Sequence, residues 1–292
     1  MPIRTKLRRY ITQEAFHHIE AMCLLFVFIS TMSLSAVADN FRLRAHQTNQ
    51  NVDLNDLTAE IQFGRDIAAR ILGRTRLLED VKLTQYVNLV GQALVMHANR
   101  PELKYHFAVL DSQEINAYST PGGYIFVTSE AIRHMQDESE LAGVLAHEIA
   151  HVNRRHIVKQ LKIYGKSKSS LFSSLTMMLS GSNDTAKVAF SQIVDQAVNI
   201  LFDQGYKIKD ELEADSVGTL LLANSGYDPL ALQRYLKRID SFSKTRAKVV
   251  NKTHPSSTER MSVLSQLIED EKLTLLGYPH YHERFNHYVH FE

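Results

Sequence analysis

His147-Glu148-Ile149-Ala150-His151 sets two imidazoles four residues apart, with a carboxylate beside the first. On an α-helix such residues share a face, so both rings can point at one ion while Glu148 reaches a water that the ion holds. Two His and one oxygen ligand suit Zn²⁺, which binds tetrahedrally and keeps one position for water. The metal would bring the pKa of that water towards neutrality, and Glu148 could take its proton as it attacks a carbonyl.

A third ligand must come from elsewhere in the chain. His156 is nearest, but on a continued helix its offsets from His151 and His147 turn it away from their shared face. The only thiol, Cys23, lies in a segment expected to be removed, so a carboxylate is needed. Lys209-Asp210-Glu211-Leu212-Glu213-Ala214-Asp215 offers one: Glu211 and Asp215 share a helical face. Glu211 can bind the ion while Asp215 accepts a hydrogen bond from a ligating His. Glu213 is expected to point into solvent. Without the His pair, this run would read as an exposed acidic helix start, which the helix dipole favours.

The elements that must position these groups are mostly helical. Ile61, Gly64, Ile67, Ala68 and Ile71 recur at helical spacing, as do Leu83, Val87, Val90 and Leu94. Tyr105–Leu110 and Tyr124–Thr128 read as strands, the second opened by the turn Pro121-Gly122-Gly123. Asp137 or Ser139 caps a helix expected to run through the His pair towards Leu161. Between Gly165 and Gly205 two short apolar stripes flank a turn at Gly181–Asp184, which suggests a helical hairpin. Its Phe172, Met177 and Met178 could rest over the site as a lid across 165–205. Further helices are expected from Lys209 to Gly226, Leu230 to Ile239 and Glu259 to Ile268, so the class is α+β with helix dominant.

The chain has 292 residues, 44% of them hydrophobic, and a formal net charge of +1. This composition excludes a disordered chain and a disulfide scaffold, and the balance gives no electrostatic footprint for nucleic acid. Basic residues precede an uncharged stretch from Ala21 to Ala38 that ends in Ala36-Val37-Ala38, a small-x-small pattern. Residues 1–38 therefore read as a cleaved secretory signal, with an uncleaved membrane anchor as the alternative. Residues 39–292 read as one domain, ending in a His-rich tail, 270–292, with His280, His282, His287 and His290. A second metal site there is weaker than the reading of an exposed tail that binds nothing.

The two His and Glu148, with Glu211 and Asp215 downstream, resemble the gluzincin family that contains the CAAX prenyl endopeptidases and HtpX. Two further segments strengthen the likeness: Asn116-Ala117-Tyr118-Ser119-Thr120-Pro121-Gly122-Gly123-Tyr124-Ile125-Phe126-Val127, similar to the family's strand before the metal helix, and His254-Pro255-Ser256-Ser257-Thr258-Glu259-Arg260, similar to its H-P-x-x-x-x-R element. The exported, BepA-like group of the family fits best, because no other long apolar stretch is present.

The resemblance implies a mostly helical zincin-type metallopeptidase domain with a small β-sheet whose edge strand lines the active-site cleft. It implies one Zn²⁺ held by His147, His151 and Glu211, Glu148 as general base and Asp215 supporting a ligand. His254 and Arg260 would hold the substrate or the oxyanion, or His254 would fill the open metal position and silence the enzyme. Tyr124–Thr128 would offer an unpaired edge to a peptide, with Asn116, Gly123, Tyr124, Ile125 and Phe126 binding substrate. The expected function is an exported, periplasmic zinc endopeptidase acting on unfolded or misassembled envelope proteins, with peripheral membrane association and no nucleic acid. The alternative is a periplasmic holdase that binds clients in the same cleft with little cleavage. The helical-repeat domain found in BepA does not appear in these residues.

Overall fold

In a computed structural model of the protein, residues 54–161, 184–245, 257–275 and 277–291 are described. The expected leader 1–38, His254 and the first arm of the hairpin with Phe172, Met177 and Met178 lie outside the described residues. Helix α1 (Leu54–Arg74) is followed by α2 (Val81–Val95). The Asp80 carboxylate caps α2 by accepting from the Leu83 amide at 2.9 Å.

Three strands follow: β1 (His106–Leu110), β2 (Ala117–Thr120) and β3 (Tyr124–Thr128). The sheet order is β1-β3-β2, with β3 parallel to β1 and antiparallel to β2. The β2–β3 turn uses Gly122 and Gly123 at φ 77° and 93°, a region that side chains with a Cβ rarely adopt. This topology corrects the expectation of an unpaired edge on Tyr124–Thr128. That strand is central, and among the described residues the edges belong to β1 and β2; the short, mixed sequence of β2 did not mark it as a separate strand.

Next come α3 (Ser129–Arg133), α4 (Glu138–Arg154) and α5 (His156–Gln160). Asp137 opens α4 with an extended backbone, and its Oδ1 accepts from the Glu140 amide at 2.8 Å. The single helix expected to reach Leu161 is broken at Arg155, which is left-handed at φ 53°, ψ 41°. That conformation costs about 1–2 kcal/mol for a residue with a Cβ. The Arg155 side chain is held there by Glu60, 3.2 Å away, whose carboxylate also takes two bonds from Arg100 at 2.7 and 3.0 Å.

The remaining elements are α6 (Asp184–Asn199), a π-helical turn Ile200–Gln204, α7 (Ile208–Asn224), α8 (Ala231–Thr245), α9 (Ser257–Asp270) and α10 (His282–Tyr288). Successive β3 side chains face opposite ways. Ile125 and Val127 join a core with α2, α4 and α8, and Phe126 joins a second one with α1, α6 and the π turn. Helix α4 is buried from Glu138 to Asn153. Leu141, Leu145 and Ile149 on it are 0% exposed, each contributing about 1.5–3 kcal/mol by burial. Against it lies α7, so close at Gly218 that an added Cβ would stand 3.0 Å from the His147 backbone. A buried helix clamped by a second helix is what fixes the chemistry.

Candidate metal centre

Helix α4 brings His147 Nε2 and His151 Nε2 to 3.0 Å from one another. Glu211, on the first turn of α7, points its carboxylate at both, with Oε2 3.6 Å from His147 Nε2 and Oε1 3.4 Å from His151 Nε2. Two tetrahedral bonds of the usual zinc–imidazole length would separate their donor atoms by about 3.3 Å. The three side chains are 5%, 1% and 0% exposed, and their ligating atoms form one group that could hold an ion. Burial pushes the His151 imidazole well below its ordinary pKa, which leaves its ring available as a ligand at neutral pH. The donor set fits a divalent metal.

Each imidazole is supported through its other nitrogen. His147 Nδ1 stands 2.9 Å from Asp215 Oδ1, one turn beyond Glu211 on α7. Arg260 of α9 donates Nε and Nη2 to the two Asp215 oxygens, both at 2.7 Å, and its Nη1 lies 3.2 Å from Glu211 Oε2. Burial alone would raise the Asp215 carboxyl, but Arg260 and His147 outweigh it and hold it down at about 2. Arg260 keeps its charge for the same reason: burial opposes it, and the paired carboxylates prevail. All three of its guanidinium nitrogens are thus committed to carboxylates in a side chain 3% exposed. The expectation that Arg260 grips substrate or oxyanion is replaced by a buried clamp on Glu211 and Asp215.

The other imidazole has partners that the sequence did not announce. Tyr206 stacks on His151 with ring centroids 4.2 Å apart. Its hydroxyl is held far from ionisation, first by burial and then by Glu148 and Glu211. His156 was expected to turn away, yet its Nδ1 is 2.9 Å from His151 Nδ1, because the chain bends at Arg155. Glu213 was expected in solvent; its Oε2 is 3.3 Å from His156 Nε2 and its Oε1 is 3.2 Å from Arg154 Nε. The bond to His156, with Lys159 and Arg154 nearby, lowers the Glu213 carboxyl to about 2 against the opposing effect of burial.

Glu148 is 2% exposed and lines a narrow cleft with Ala117, Tyr118, Ile200, Leu201, Gly205 and Tyr206. The cleft has about 10 Å³ of space for water centres, enough for about one water. The strand at this cleft is β2, and the Tyr118 ring stacks on Phe202 of the π turn at 4.5 Å. Asn116 sits at the start of β2 with its Nδ2 buried and unpartnered. Gly123, Tyr124, Ile125 and Phe126 are not among the lining residues. Gly123 lies in the hairpin turn, Tyr124 stacks on His106, and Ile125 and Phe126 are 1% and 4% exposed in the cores.

In the tail, His280 and His282 group with Asp137, but Arg234 already holds that Asp at 2.8 Å and also pairs with Asp228. His287 and His290 join no such group among the described residues.

A helix-borne H-E-x-x-H pair, a carboxylate from a second buried helix and a small sheet whose edge strand lines the cleft define a zincin-type metallopeptidase domain. The description "Peptidase family M48" matches residues 82–268, and the chain belongs to that family. It is 32% identical over 210 residues to the "Beta-barrel assembly-enhancing protease" of Escherichia coli (strain K12), covering 70% of this chain and 42% of that protein. It is 28% identical over 245 residues to the "Putative beta-barrel assembly-enhancing protease" of Vibrio cholerae, covering 82% of this chain and 50% of that one. Likeness extends to the "Mitochondrial metalloendopeptidase OMA1" of Schizosaccharomyces pombe, at 26% identity over 202 residues, 68% of this chain and 57% of that protein. The chain thus spans about half the length of these relatives. Among the described residues no helix is long and apolar enough to cross a membrane.

Proposed function

We propose that the protein is an exported zinc endopeptidase that cuts unfolded or misassembled envelope proteins. The observation that carries this reading is the convergence of His147, His151 and Glu211 from two buried helices, with Glu148 in the adjoining cleft. When bound, zinc supplies Lewis acidity to the scissile carbonyl and to the attacking water. Glu148 takes the proton of that water and returns it to the leaving amine. Asp215 and Arg260 keep His147 and Glu211 in register. An extended substrate is proposed to pair along the outer edge of β2, which no strand occupies among the described residues, where the Asn116 Nδ2 can donate to its backbone. From the likeness of its H-P-x-x-x-x-R element, His254 is proposed to hold the substrate or the oxyanion. The name of the Escherichia coli relative supports a role in the envelope, as does the signal-like stretch 1–38.

The test is zinc content together with casein cleavage by the purified protein and by Glu148→Gln. One zinc per chain in both, with cleavage reduced about 10²–10⁴-fold in the variant, is expected. Equal cleavage would end the protease reading. Stoichiometric zinc with no cleavage by either protein would favour the holdase.

A further inference from the structure

We infer that His156 is a positioning residue for the metal centre, fixing the tautomer and aim of His151 and linking it to Glu213. The inference rests on the reading of His147, His151 and Glu211 as metal ligands. His151 Nε2 faces the other two ligating side chains, so in the metal-bound protein its single proton sits on Nδ1. That nitrogen is 2.9 Å from His156 Nδ1, which must then accept. His156 therefore carries its own proton on Nε2 and donates it to Glu213 Oε2 at 3.3 Å. A carboxylate can only accept, so each bond along the chain fixes the direction of the next. His156 is 0% exposed, and water cannot readily substitute for it.

The bend at Arg155 makes this contact. On an unbroken helix His156 would lie off the His151 face; the left-handed residue brings its ring back beneath it. The imidazole then extends the reach of Glu213, so that a side chain 33% exposed supports a ligand 1% exposed. A carboxylate at the end of such a chain raises the basicity of the ligating nitrogen.

The same region offers a competing arrangement, in which His156, Asp210 and Glu213 themselves surround a cation. It would have to remove the Nε2 proton of His156 and displace Arg154 from Glu213. Arg154 and Lys159, both close to Glu213, also repel a second cation. The hydrogen-bonded chain fits the observed partners better.

The experiment measures zinc affinity of the full chain by chelator competition, for the native protein, His147→Ala, His156→Ala, His156→Gln and Glu213→Gln. It also reads the His156 tautomer in the zinc-loaded native protein from long-range ¹H–¹⁵N NMR couplings. Weakening of about 10–100-fold in His156→Ala is expected. His156→Gln, which can accept and donate, should recover much of the loss, and Glu213→Gln should lose less than His156→Ala. The tautomer should be Nε2–H, with one zinc per chain. Native-like affinity in folded His156→Ala, with binding lost in His147→Ala, would overturn the inference alone. An Nδ1–H tautomer, or a second zinc that depends on His156, would overturn it even if His156→Ala fails to fold. A native protein that binds no zinc would overturn both this inference and the metal centre beneath it.

Discussion

His147 and His151 stand one helical turn apart and face the same point, but the protein holds them in different ways. Behind His147 the support is sealed: Asp215 is 0% exposed and Arg260 3%, and the same guanidinium clamps Glu211. Behind His151 the support runs outward through an imidazole to Glu213 and Arg154, 33% and 27% exposed. A charge in the first network has only fixed partners, so losing one strands the others in a medium that cannot solvate them. A charge at the end of the second can exchange a lost partner for water. One side of the centre is therefore rigid at high cost, and the other is adjustable.

The largest effect should come from the sealed side. Arg260→Leu takes the guanidinium from two buried carboxylates, Asp215 and Glu211, which should cost about 3–5 kcal/mol of stability in urea denaturation. A loss below about 1 kcal/mol would mean that Asp215 and Glu211 are solvated by a route the structure does not show. Metal removal comes next. At free zinc about 100 times Kd, binding to the native state alone stabilises by about 2.7 kcal/mol, so chelation should lower the unfolding midpoint accordingly. An unchanged midpoint would break the comparison at its root, because neither side would then be supporting a metal.

Gly218→Ala probes the spacing on the rigid side. Its new Cβ would stand 3.0 Å from His147 Cα and N, backbone atoms that cannot rotate away. Moving α7 outward should cost about 1–3 kcal/mol and pull Glu211 back from the imidazoles. Chelator competition should therefore report weaker zinc binding together with the lower stability. Weakened stability with unchanged zinc affinity would show that Glu211 follows its ligand when the helix shifts.

Much of the rigid side was legible in the sequence. The spacing of His147 and His151, and of Glu211 and Asp215, follows from helical periodicity, which survives folding because both helices are regular there. Arg260 was legible as a member of the site but not as its clamp: its partners lie 45 and 49 residues away in the chain, and no local pattern encodes that pairing. The adjustable side was misread for a different reason. Its geometry depends on a left-handed Arg155, and Arg carries none of the usual signal of Gly or Asn for that conformation. The stabilising contact comes from Glu60, far earlier in the chain. An unbroken helix was the natural reading; it sent His156 to the wrong face and so left Glu213, on α7, without the partner that it has. The central place of β3 was hidden similarly, because strand order depends on which neighbours pair, not on how each strand reads by itself.

The smallest effect should be Arg154→Ala at the outer end of the His151 support. The pair with Glu213 is partly exposed, and such pairs contribute about 0.2–1 kcal/mol. Water can take the place of the guanidinium, leaving the Glu213 oxygen that faces His156 undisturbed. Stability should fall by no more than that amount in urea denaturation, and zinc affinity should stay within about twofold of native. The contrast with Arg260→Leu then becomes a direct measure of depth, since each variant removes one guanidinium from a carboxylate that backs a ligating His. If Arg154→Ala instead cost as much as Arg260→Leu, the outer end would have to be shielded from water as thoroughly as the inner one, and the adjustable side would not be adjustable.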